Sequence, residues 1–291
     1  MHSRTFTVLL ALFVAACGGS DITPPISSQG SNTPPGGNPP GGTTPDPTPS
    51  NPGGGSTATV GFVSRTVVEN GVSYNFKVFV PANYNTVSGK VPVILFMHGS
   101  GGKGSDNVSQ LADGLGPVVK SQASTFPAIV VFPQSPADET GRQVFVRIAP
   151  AALDQVLAEY TKSDLSRVYL TGLSYGAIHG FEVAYRRPTT FAAFVPISGD
   201  PCGLCISGNS STTQAQGFQL VAPVLKSLPI WQFQGELDTQ VSVVLVRQEK
   251  DALIAAGSAI KYTEYKGAPH GIWDTVYADQ TMWTWLWAQH R

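Results

Sequence analysis

Charge is scarce in this chain. Only 13% of its 291 residues are Asp, Glu, Lys or Arg, about half the usual share. The signs nearly cancel, with 18 Lys and Arg against 19 Asp and Glu for a formal net charge of −1. No basic patch argues for a nucleic-acid partner, and no basic amphipathic stretch argues for an anionic membrane surface. Long apolar runs are missing too: the best candidate, residues 5–16, is too short to cross a bilayer as a helix. Cysteine is limited to three residues, so at most one disulfide can close within the chain. No internal repeat is visible. What is plentiful is apolar side chain, 42% of residues, enough for a sizeable core in one large domain or two small ones.

The N-terminus has the layout of a targeting segment. Arg4 supplies a positive start, residues 5–16 an apolar stretch, and Val14-Ala15-Ala16-Cys17 resembles a bacterial lipobox. That resemblance implies cleavage before Cys17 and acylation of its thiol and new amino group. Two or three acyl chains anchor a protein stably, whereas one is marginal. An ordinary cleaved signal with an incidental Cys17 is the plainer alternative. Residues 17–57 hold no aromatic side chain and are roughly half Gly and Pro, as in Pro34-Pro35-Gly36-Gly37. Such a stretch cannot bury enough apolar surface to offset its ordering entropy and reads as a tether. The expected organisation is a signal at 1–16, a lipidated Cys17 with its tether to 57, and a folded domain at 58–291. The chain is then expected to sit outside the cytoplasm on a bacterial membrane, as a monomer.

From residue 60 the pattern alternates. Runs at 60–69 and 73–80 flank Asn70-Gly71, a hairpin signal. Residues 91–97 are continuously apolar, as a central parallel strand requires. Further strands are predicted at 128–132, 167–171, 192–197, 229–234 and 259–265. Helices are predicted at 146–160, 175–186, 242–256 and from about 277. Two antiparallel strands followed by repeated β-α units predict a mixed, mostly parallel sheet with helices on both faces. Ligands in such sheets sit beyond the carboxyl ends of the strands.

Ser174 stands in Gly172-Leu173-Ser174-Tyr175-Gly176, directly after one predicted strand and directly before a helix. Strand, sharp turn and helix are the setting a nucleophile elbow needs. On its own Ser174 could equally cap the helix. A serine hydroxyl needs a base. Among five histidines, His270 lies in the loop after a strand, in Gly267-Ala268-Pro269-His270-Gly271. His179 lies within the serine's own helix and His98 within another motif, so both read as structural. A carboxylate must orient the base. Asp238 follows a strand end, and Glu236 and Asp274 are nearby rivals. His98-Gly99-Ser100-Gly101-Gly102 supplies an exposed glycine-rich backbone after the central strand. The N–H groups of Ser100 and Tyr175 are the candidate oxyanion donors.

The order Ser174, Asp238, His270, with these flanking motifs, resembles the α/β-hydrolase superfamily. The likeness is to its compact esterase branch, which includes feruloyl esterase-like, dienelactone hydrolase-like and polyhydroxybutyrate depolymerase-like proteins and predicted peptidases. The matching pieces run from Val80-Pro81 through Leu95 to Gly102, Gly104 to Asn107, Gly172 to Ala177, Pro229 to Trp231, Gly235 to Val241 and His270 to Trp273. The resemblance implies an α/β-hydrolase fold and a serine carboxylesterase. Its substrates would be carboxylic esters such as feruloyl or acetyl esters of polysaccharide, or polyesters. A serine peptidase or a non-catalytic surface binding module is the alternative. It implies no metal and no cofactor. Gln234 departs from the branch, which usually has histidine there.

Cys202 and Cys205 also depart from it. In an exported chain they are expected to pair as a disulfide that shapes the pocket mouth. A redox site lacks its strand-to-helix setting, and a zinc site lacks two further nearby ligands. Trp273, close to His270, and Tyr175, beside the serine, are the candidate pocket walls. Trp231 reads as core, and Trp283, Trp285 and Trp287 as packed or half-exposed rather than as a carbohydrate platform. About thirty residues lie between strand 192–197 and Asp238, room for a short cap but no large lid.

Overall fold

In the computed structural model, the chain is described at residues 57–138 and 140–291. The signal, Cys17 and nearly all of the tether lie outside the described residues. No helix among the described residues is long and apolar enough to cross a membrane.

The fold opens with a hairpin, β1 (Gly61–Glu69) and β2 (Val72–Val80). Both turn residues have positive φ, Asn70 at 51° and Gly71 at 79°. That geometry matches the right-handed twist of the flanking strands and favours Asn-Gly. β3 (Val91–Met97) is buried along its whole length. Then follow α1 (Leu115–Ser121), β4 (Ile129–Pro133), α2 (Gly141–Glu159), β5 (Ser163–Leu173), α3 (Tyr175–Arg186) and β6 (Ala193–Ile197). The remainder comprises α4 (Gly203–Ser207), α5 (Gln214–Leu225), β7 (Trp231–Gly235), α6 (Val243–Ala255), β8 (Lys261–Tyr265), α7 (Trp273–Ala278) and α8 (Gln280–Trp287).

The strands form one eight-stranded sheet in the order β1-β2-β4-β3-β5-β6-β7-β8. β1, β2 and β4 pair antiparallel, and every pairing from β4 through β3 to β8 is parallel. This is the expected mixed sheet. β4 and β5 lie on opposite sides of β3, so the winding reverses there, and crevices open at such reversals. One apolar layer joins the sheet to α2, α3, α5 and α6 through Phe145, Leu153, Phe181, Phe218 and Leu253. The other joins it to α1, α7 and α8 through Leu115, Val119, Val276 and Leu286.

Two helices were not foreseen. α4 and α5 are hidden in the sequence by Gly, Ser and Pro, which break a helical pattern. α5 starts at a capping box, with Thr213 Oγ1 accepting from Gln216 N–H and Gln216 Oε1 accepting from Thr213 N–H. The segment expected to provide a short cap is therefore part of the core layer. α5 buries Phe218, Val221, Ala222 and Leu225. The last helix is also different from expectation. It is two helices, the first starting at Trp273, because Asp279 is extended and its carboxylate accepts from Thr281 N–H at 2.8 Å to start the second.

A core role for α5 is testable. Phe218→Ala is expected to cost about 3–5 kcal/mol, as for other buried aromatic truncations. Denaturant unfolding checks this; a mobile cap would leave the midpoint unmoved.

Candidate active site

Ser174 lies at φ 51° and ψ −119°, a conformation that side-chain-bearing residues avoid. Such strain costs on the order of 1–3 kcal/mol and persists only when the surroundings over-determine it. Here they do. Ser174 N–H donates to the Ile197 carbonyl of β6 at 2.9 Å, and its own carbonyl accepts from Ile178 N–H at 3.0 Å. β5 pairs with β3 so that Gly172 stands beside Met97. A Cβ on Gly176 would lie 1.9 Å from the Met97 carbonyl oxygen, and one on Gly172 would lie 2.7 Å from the Gly176 carbonyl carbon. Both glycines are thus fixed by backbone meeting backbone. The turn leaves the serine partly exposed above the sheet edge.

The edge brings two more residues to it. His270 Nε2 is 2.9 Å from Ser174 Oγ, and His270 Nδ1 is 2.7 Å from Asp238 Oδ2. An ionised carboxylate can only accept, so Nδ1 carries the proton toward Asp238 and Nε2 is left to accept from the serine hydroxyl. The Asp238 side chain is completely buried. Its Oδ1 accepts from the N–H groups of Gln240 at 2.8 Å and Val241 at 2.9 Å. Its Oδ2 accepts also from Gln234 Nε2 at 2.8 Å. The rivals are placed elsewhere. Glu236 Oε2 accepts from Gly267 N–H at 2.7 Å, at the root of the histidine loop, and Asp274 is exposed in the first turn of α7.

The histidine loop is held by contacts that sequence reading missed. Ser198, buried and at φ 51°, donates its hydroxyl to the His270 carbonyl at 2.8 Å. A Cβ on Gly235 would meet the Pro269 carbonyl oxygen at 2.1 Å. Gln234 was noted only as a departure from the family. In the structure it braces the carboxylate and donates to the Val241 carbonyl at 3.2 Å. A signal was available: Gln234, like Gln232, is a polar residue in the buried strand β7, and buried polar groups need partners.

Ser100 opens a single 3-10 turn, Ser100–Gly102, and Tyr175 opens α3. First-turn N–H groups have no acceptor within their own helix. The Met97–Gly172 pairing sets these two turns side by side. His98 secures the first of them, with Nδ1 donating to the Gly99 carbonyl at 2.6 Å and Nε2 accepting from Ser135 N–H at 3.0 Å. Burial lowers its pKa to about 4, so it stays neutral at pH 7 and fills a structural place.

The candidate pocket residues divide. Trp273 meets His270 edge to face, with ring centres 5.6 Å apart. The Tyr175 ring stacks on Phe145 at 5.8 Å and meets His179 edge to face at 4.4 Å, beneath Lys103 Nζ at 4.1 Å. Trp231 and Trp283 are buried, while Trp285 and Trp287 are half-buried against them. Cys202 and Cys205 form a disulfide. Cys205 is buried and, with Arg142, Gln143, Glu182 and Arg186, lines a cleft of about 350 Å³ between α2, α3 and α4.

No protein-family model and no curated protein matches the chain. Solved structures do. A thermostable esterase is 27% identical, with a TM-score of 0.59 over 79% of this chain and 63% of that one. A ferulic acid esterase is 15% identical, with a TM-score of 0.58 over 78% of this chain and 97% of that one. The acylaminoacyl peptidase of Pyrococcus horikoshii is 15% identical, with a TM-score of 0.57 over 77% of this chain and 41% of that one. The chain thus spans under two thirds of the thermostable esterase and of the peptidase. The likeness to these structures is one of fold.

Gly176→Ala is expected to destabilise the protein by about 3 kcal/mol or more, because the Met97 carbonyl cannot yield without opening the sheet. Gly89→Ala, where an added Cβ meets nothing within 4 Å, is the control and should change stability little. Thermal unfolding of the pair checks this; equal effects would mean that the elbow tolerates a side chain.

Proposed function

We propose that this chain, an α/β-hydrolase by fold, is a serine carboxylesterase. The observation that carries the reading is the continuous relay from Ser174 Oγ through His270 to Asp238, at 2.9 and 2.7 Å. Ser174 attacks the ester carbonyl as His270 Nε2 takes its proton. Asp238 holds the imidazole in the tautomer that can do so and stabilises the imidazolium. The Ser100 and Tyr175 N–H groups receive the oxyanion, already aimed before charge develops. His270 then protonates the departing alkoxide, which leaves as the alcohol. A water deprotonated by the same nitrogen attacks the acyl-enzyme, and the acid and the free serine result.

The substrate we favour is a bulky or polymeric ester, of the feruloyl, acetyl or aliphatic polyester kind. Two observations support it. Residues 198–230 pack as core and do not build a large lid over Ser174, and the likeness to the ferulic acid esterase covers 97% of that compact chain. Lipidation at Cys17 with a tether to residue 57 would hold the domain away from a bacterial membrane, where such polymers are met. The likeness to an acylaminoacyl peptidase favours a second reading, an amidase on the same relay.

Hydrolysis of p-nitrophenyl acetate, butyrate and octanoate by the purified protein separates these. Ester turnover is expected, and Ser174→Ala should lose at least about 10⁴-fold. Release of ferulate from a feruloylated polysaccharide, or of soluble acid from a polyester, is the next arm. Turnover of acyl-peptide p-nitroanilides without ester turnover would favour the amidase. For the anchor, Cys17→Ala should abolish incorporation of labelled palmitate and release the protein from membranes. Persistent labelling would place any lipid elsewhere.

A further inference from the structure

Further along α3 from the nucleophile lies a second cluster that the ester chemistry does not use. His179 and Glu182 are one helical turn apart, so they share a face. Their side chains are only 4% and 6% exposed. Cys205 of α4 packs against them, and the ligand atoms of all three lie within 4.8 Å of one another. His179 Nδ1 is buried without a hydrogen-bond partner. Its neighbour Glu182 Oε2 is 4.0 Å away, too far to bond. The carboxylate is divided: Oε1 accepts from Arg186 Nε at 3.0 Å and from its terminal nitrogen at 2.8 Å, which leaves Oε2 to the imidazole. A buried ring nitrogen left unpaired is costly and calls for an explanation.

An ion supplies one. Zinc bonds of about 2.0 Å to nitrogen or oxygen and 2.3 Å to sulfur put neighbouring tetrahedral ligands about 3.5 Å apart, so the three atoms need to close in by roughly 1 Å. A nitrogen, sulfur and oxygen set suits zinc and is poor for magnesium or calcium. In the structure Cys205 is tied to Cys202, and a disulfide sulfur is no thiolate. So short a loop constrains the unfolded chain little, so a structural role for the bond is weak. The cleft beside Cys205 gives an ion a way in.

We propose that the Cys202–Cys205 bond gates a zinc site made of His179, Glu182 and Cys205. A dithiol reductant opens the bond by thiol exchange. Two electrons and two protons pass to the cysteine sulfurs, and the reductant leaves as its own disulfide. The Cys205 thiol then gives its proton to solvent as its sulfur bonds the ion. His179 gives the Nδ1 lone pair and Glu182 gives Oε2, with water in the fourth position. His179 meets Tyr175 edge to face at 4.4 Å, but the test reads metal uptake and not turnover, so it is independent of the esterase reading.

The test is anaerobic titration with Co²⁺ and then Zn²⁺, on oxidised protein and on protein reduced with a phosphine. Reduced protein is expected to take up one Co²⁺ per chain with a near-ultraviolet thiolate-to-cobalt band, displaced by Zn²⁺; oxidised protein should show none. Cys202→Ser frees Cys205 permanently and should bind without reductant, with the buried cluster intact even if other variants fold poorly. Adding His179→Gln or Glu182→Gln to it should weaken binding at least about 100-fold, the loss that even an outer partner can bring. Equal binding by oxidised protein, no band in folded Cys202→Ser, or a band indifferent to His179→Gln would each overturn the proposal.

Discussion

The molecule turns on one close approach, that of the Gly176 backbone to the Met97 carbonyl. A Cβ there would stand at 1.9 Å, so α3 can seat directly on β3 only because none is present. That seating forces the chain to reverse at Ser174 within a single residue, at φ 51°. It also sets the first N–H groups of α3 beside the turn that follows β3. Nucleophile and candidate oxyanion donors are thus consequences of one packing event. The sheet gives it rigidity, since β3 is buried throughout and β5 is paired on both sides.

The histidine reaches the same edge by a longer route. β6, β7 and β8 each end at that edge, and each end is tied to the next. Ser174 N–H bonds to the end of β6, Ser198 N–H to β7, and Glu236 N–H to β8. Ser198 Oγ then crosses back to the His270 carbonyl. His270 stands on a loop whose position is set by three strands, which suits a base that must meet a hydroxyl at hydrogen-bond distance.

Two buried acids in this fold are treated in opposite ways. Asp238 accepts from two backbone N–H groups, one amide and one imidazole, a set of donors suited to a carboxylate. Glu249 of α6 packs beside Gln232, and burial pushes its carboxyl well above the usual range. Both Glu249 carboxyl oxygens and Gln232 Oε1 are buried without a hydrogen-bond partner.

The sequence by itself determined the sheet, the elbow and the order of the chemistry-bearing residues. Those signals are local: an apolar run at 91–97, Asn70-Gly71 between two strands, and glycines at 172 and 176. Each reflects a backbone demand that neighbours in the chain impose. Chain order pointed to Asp238, but only the tertiary structure turns it to His270 and turns its rival Glu236 to Gly267 N–H. It decided that Gln234 and Ser198 brace the relay, and that α5 is core, its start disguised by a Gly, Ser and Thr run. It also brought Cys205 to His179 and Glu182, which belong to an earlier helix. Contacts between distant segments leave no spacing to read, since their geometry is fixed only when the layers pack.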